Sequence, residues 1–171
     1  TAFYTGSGGG IFTPAIIAMC LGLVGTATSV AGNEVARKLG RGRYITCVMT
    51  VSIGLAFGIG FSSGGSYGLA AALCLVYAGL IWADSSSLTA GTVGSAEPDR
   101  RGATMAVHSM LGYFGGFLGP LALGATLDLA GGNNPQAWGV AFMHLGVVVL
   151  VGLIIFRALR PRDLAGDRTA R

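Results

Sequence analysis

All eleven Lys and Arg residues of this chain fall in three clusters, and the apolar stretches between clusters are each long enough to cross a bilayer twice. The clusters are Arg37, Lys38, Arg41 and Arg43, then Arg100 and Arg101, then Arg157, Arg160, Arg162, Arg168 and Arg171. Between the first pair of clusters the apolar sequence is interrupted by the uncharged turn Ser62-Ser63-Gly64-Gly65-Ser66, and between the second pair by Gly131-Gly132-Asn133-Asn134-Pro135-Gln136. Basic and neutral connections therefore alternate. Because cytoplasmic loops of inserted proteins carry the excess of Lys and Arg, the clusters are expected inside and the neutral turns outside.

Window by window, the sequence predicts five spans: 11–31, 44–61, 67–96, 103–129 and 138–156, with a basic cytoplasmic tail over 157–171. Each holds at least about 18 residues, enough for ~30 Å of hydrocarbon at the α-helical rise. The third and fourth are longer and must tilt, kink or project. Backbone polar groups in lipid have to be paired within their own segment, so an all-α transmembrane bundle is expected and sheet is not. Apolar residues make up 52% of the chain and charged ones 11%, far from the ~25% of a soluble domain. The net charge of +4 sits at span ends, where orientation and contact with lipid headgroups account for it, so nucleic acid is not an expected partner.

The thirty glycines would weaken soluble helices but let backbones approach in lipid. Gly54 and Gly58, Gly112 and Gly116, and Gly115 and Gly119 are spaced as helix-contact pairs, so Leu at Gly116 is expected to disturb packing more than Leu at Gly131. Pro120 should bend the fourth span. The Gly-rich stretch 6–10 lacks the preceding strand and the following Lys-Ser or Lys-Thr of a nucleotide loop. Cys20, Cys47 and Cys74 lie in apolar runs without ligand spacing and read as small hydrophobes. Residues 1–10 read as an outside segment, and five spans with an outside start and an inside finish lead us to expect further helices before Thr1.

Asp84 is the one carboxylate well inside a span, ~25 Å from the outer end of its helix by helical rise. An Asp at a helix centre costs about 2.5–3.5 kcal/mol on insertion scales, so it is a functional candidate by default. The competing reading is an Asp satisfied by Ser85, Ser86 and Ser87 or by a neighbouring helix. Counting by three and four, Tyr77, Ile81, Asp84, Ser87, Leu88 and Gly91 share a helix face, which suits a wet cavity. His108, about two turns in from the inner end of its span, lies in the same leaflet as Asp84 and either shares a proton with it or serves packing. His144 lies in the outer half of the last span. Thr89 and Thr92 are expected to satisfy their own backbone carbonyls. No metal-ligand spacing, cofactor fingerprint or Ser-His-Asp set is present, so neither cofactor nor bond-making catalysis is expected.

Two stretches resemble a known family. Gly32-Asn33-Glu34-Val35-Ala36-Arg37-Lys38-Leu39-Gly40-Arg41-Gly42-Arg43 resembles the cytoplasmic-loop signature of the major facilitator superfamily; aligned on Gly40, Arg37 occupies the acid position and Asn33 that of the first Gly. Asp84-Ser85-Ser86-Ser87-Leu88-Thr89-Ala90-Gly91, followed by Arg101-Gly102-Ala103, Ser109, Gly119-Pro120 and Asp128, is similar to helices ten and eleven of bacterial members. The resemblance implies that the spans correspond to helices eight to twelve of a six-plus-six fold that opens a central cavity alternately to each side. It further implies a bacterial cytoplasmic membrane, a cytoplasmic C-terminus, and proton-coupled movement of a small solute. Asp84, Tyr77, Ser87 and His108 would line the pathway. A non-transporting helical module, whose polar residues only join helices, is the alternative.

Overall fold

The computed structural model describes residues 13–62 and 67–159. The residue 1–12 segment, the start of the first expected span, Ser63 to Ser66 and the tail from Arg160 onward lie outside the described residues. Every regular element described is an α-helix, and five helical stretches are long and apolar enough to cross a membrane.

The first helix, α1, is Pro14–Leu39. Thr13 caps it by accepting from the Ile16 N–H at 3.3 Å, and Pro14 sits in the first turn, where its missing N–H costs nothing. The second, α2, is Arg41–Phe61. Only Gly40, at φ 88°, separates the two. The basic segment over 32–43 is therefore not an open loop: Gly32, Glu34, Arg37 and Lys38 continue α1, because Ala, Arg, Lys and Leu keep a helix going after hydropathy has fallen. Arg37 and Lys38 close its last turn, where cations favour the helix dipole.

The third expected span is two helices. It comprises α3, Tyr67–Ala83, and α4, Ser85–Ser95, interrupted at Asp84. The fourth, α5, is Arg101–Leu129 and runs on through Pro120. The turn beyond it places Gly131 and Gly132 at φ 97° and 88°, and Asn134 then accepts from the Ala137 N–H at 2.8 Å to start α6, Pro135–Leu159.

Helix α2 packs chiefly on α6 and α1 chiefly on α3, with α3 also against α2; α5 touches α6 and α4. The core joins Ala56, Ile59 and Tyr77, against which Leu55, Leu73, Phe142 and Leu145 pack. Tyr77 meets Phe142 edge to face, ring centroids 5.9 Å apart. Residue size sorts in the sense opposite to that of a water-soluble protein. Small residues such as Ala36, Ala56, Ala137 and Ala141 are buried, whereas Phe61, Tyr113 and Leu129 point outward. Helices in lipid gain little from burying large apolar groups and much from close backbone contact.

The contacting glycines are not the expected ones. A Cβ on Gly54, Gly58, Gly112, Gly115, Gly116 or Gly119 would meet nothing within 4 Å. Those at true crossings are Gly25, against Trp82; Gly60, where a Cβ would lie 2.9 Å from the Gly139 carbonyl; Gly146, against Phe57; and Gly32, against the Ala83 carbonyl and the Tyr44 hydroxyl. Spacing of four residues puts two glycines on one face, but it does not say which face meets a neighbour.

Candidate functional site

Asp84 stands at the interruption between α3 and α4, with φ −89° and ψ −12°. Its backbone carbonyl accepts from the Leu88 N–H at 2.8 Å, so α4 winds up directly behind it. Sequence favours a helix start here: Asp followed by three serines is a run whose side chains compete with the backbone for hydrogen bonds. The adjoining Ala83 carbonyl is taken by a side chain from another helix, the Tyr44 hydroxyl, at 3.2 Å. Gly32 permits that meeting, since any side chain there would occupy the space of the Ala83 carbonyl and the Tyr44 hydroxyl. The interruption is thus wedged between α1 and α2.

Asp84 itself is partly buried, and its carboxylate forms no ion pair with a described residue. The serines after it are occupied differently. Ser86 Oγ lies 2.6 Å from Ser29 Oγ on α1, whereas Ser87 is fully buried with its hydroxyl unpartnered.

Beyond Ser87 opens a cavity of about 870 Å³ at the end of the bundle where the basic clusters converge. Its walls come from α2, α4, α5, α6 and the 96–100 turn, and include Arg41, Ser87, Gly91, Thr92, Arg100 and Phe156. Arg41 is the unexpected member. Counted in sequence among the surface charges that orient the chain, it is only 8% exposed, and its Nη1 donates to Asn33 Oδ1 at 2.9 Å and to the Ser87 carbonyl at 3.3 Å. Charge alone does not report burial. The one hint in sequence is the glycine on either side, Gly40 and Gly42, which leaves room for neighbouring backbone.

The other candidates scatter. Tyr77 belongs to the packed core with Phe142 and does not line the cavity. Ile81, in the same helix as Tyr77, is exposed and does not line the cavity. His108 Nε2 lies 3.2 Å from Thr89 Oγ1, joining α5 to α4, and no bond links it to Asp84. Thr89 and Thr92 donate to the Ser85 and Leu88 carbonyls of their own helix. His144 Nδ1 lies 3.3 Å from Thr126 Oγ1, tying α6 to α5. In the signature segment Glu34 pairs with Arg37 one turn along the same exposed helix at 3.1 Å, a local pair that joins no two helices. Lys38 and Arg43 are exposed. Among the described residues no group of three or more His, Cys, Asp or Glu side chains is placed to hold a metal ion.

No protein-family model matches this chain, and neither a curated protein nor a solved structure does.

Proposed function

We propose that this chain is part of a secondary active transporter that carries a small solute across a cytoplasmic membrane by alternating access, with a proton as coupling ion and Asp84 as its carrier. The observation that carries the reading is the place of Asp84: an acid inside a stretch long enough to cross the bilayer, at the junction of α3 and α4 and within four residues of a side chain that lines a cavity. An acid at membrane depth is costly and survives only where protein or a water-filled space satisfies it. A carboxyl without a cationic partner can change its charge by taking up a proton, and the neutral form crosses low dielectric at much lower cost. The resemblance of the 32–43 and 84–91 segments to the major facilitator superfamily supports the same reading. It implies partner helices from the same protein and a cytoplasmic side at the basic end.

The structural alternative draws on the Ser29–Ser86 and Arg41–Asn33 bonds, which join helices as polar glue does. Asp84 makes no such bond to another described helix, and this favours the carrier role.

The test uses the full-length parent in sealed vesicles. A panel of small solutes is screened for dissipation of an imposed pH gradient, read by a pH-sensitive dye, and Asp84→Asn is then compared with the parent on the active solute. Uphill uptake should fall at least tenfold while exchange of bound solute persists, because exchange does not require the carrier to lose its proton. Unchanged proton-driven uptake per molecule of the Asn variant refutes the carrier role.

A further inference from the structure

Among the described residues, the cavity at the basic end holds a buried cation that pairs with no anion. Arg41 is buried, and both of its hydrogen bonds leave from Nη1 to neutral acceptors, Asn33 Oδ1 and the Ser87 carbonyl. Its Nε is buried with no partner among the described residues. No described carboxylate lies within ion-pair distance of it: Glu97, the acid in the same lining, is exposed and pairs with Arg100 at 3.4 Å. A guanidinium does not escape this position by deprotonation, and a charge withdrawn from water needs a compensating charge more than a neutral dipole. Beside it the Ser87 hydroxyl is fully buried and also unpartnered. These two polar groups sit on a wall that is largely apolar, formed by Ile45, Leu111, Ile155 and Phe156 among others, with Glu97, Arg100 and Thr104 also in the lining. The volume of about 870 Å³ falls within the ~300–1,000 Å³ of sites that enclose a drug-sized molecule.

We propose that this cavity binds an oxyanion carried on an apolar body, an amphiphilic carboxylate in the simplest case, with Arg41 as its counter-charge and Ser87 as a hydroxyl donor. Arg matches the planar, two-oxygen geometry of a carboxylate through adjacent N–H groups, which a Lys at the same place does not. The apolar wall takes the body of the ligand and excludes water from the ion pair. This deepens the transport reading by naming the class of solute. It rests on that reading only for what binding accomplishes, so binding and flux are tested apart.

The experiment is calorimetric titration of octanoate into the full chain held in phosphatidylcholine nanodiscs, without any gradient. Saturable binding is expected, weakened at least tenfold in R41Q, weakened less in R41K, and unchanged when the exposed neighbour is altered in R43Q. Octanol, with the same chain and no charge, should bind at least tenfold more weakly than octanoate. Should R41Q fail to fold, L111W fills the cavity from the outward-facing α5 and should abolish binding while the helical circular dichroism stays that of the parent. Adding phosphatidylglycerol to the discs separates the sources of the anion: competition with octanoate assigns a lipid headgroup and lack of competition a free solute, and both uphold the site. Equal binding of octanol and octanoate, or unweakened octanoate binding in folded R41Q and L111W, overturns it. Octanoate binding without proton-coupled flux of any solute would sink the transport reading and leave the site standing.

Discussion

Helices α1 and α5 are both long and apolar enough to cross a membrane and both carry glycines, yet they pack in opposite ways. On α1, Gly25 and Gly32 lie against Trp82 and against the junction of Ala83 with Tyr44, and both are buried. On α5 no residue is buried, and Gly112, Gly115, Gly116 and Gly119 meet nothing within 4 Å despite their regular spacing. The difference teaches that a small residue stabilises a crossing only when its azimuth faces another backbone. A four-residue repeat supplies the ridge but not the partner.

The comparison breaks most easily at Gly32. Gly32→Leu should lower stability by about 3 kcal/mol, at the upper end of overpacking costs, because the obstructing atoms include backbone at the helix interruption. Unfolding in mixed detergent micelles measures it, and a loss below about 1 kcal/mol would show that the interruption yields easily. Next in size is Gly131→Leu, expected to cost about 1–2 kcal/mol, since φ 97° is a conformation that side-chain-bearing residues adopt only under strain. Ser86→Ala should cost about 0.6 kcal/mol, the usual worth of one interhelical hydrogen bond in a membrane, here that to Ser29. The smallest effect belongs to Gly116→Leu, within about 0.5 kcal/mol in this chain, as at other exposed positions. The order of Gly131 and Gly116 is thus the reverse of what spacing suggests. A marked loss at Gly116 in the parent, absent from this chain, would sharpen the contrast by assigning the α5 ridge to helices outside this sequence.

The five spans were legible because hydropathy over some twenty residues integrates a large signal, and the 44–61 and 103–129 estimates lie within three residues of α2 and α5. What a window averages away is local conformation. The 67–96 run reads as one apolar stretch, and only the Asp-Ser-Ser-Ser segment hints that the chain restarts a helix at residue 85. Asp84 was visible as a costly acid, whereas its neighbours on the supposed common face were not placeable, because spacing gives residues a common face without saying what that face packs against. Arg41 illustrates a different blindness: its charge is plain in sequence, but its burial follows from how α1, α2 and α4 come together.

Gly40 carries a mechanical implication. A connection of one residue has no slack, so α1 and α2 cannot slide lengthwise past each other, and their relative motion is confined to hinging about that glycine. Their relative rotation is set just as tightly: at 3.6 residues per turn, one inserted residue turns whatever follows by ~100°. An insertion beside Gly40 would therefore act like a mis-cut gear tooth, swinging Tyr44 off the Ala83 carbonyl and Arg41 away from Asn33 together.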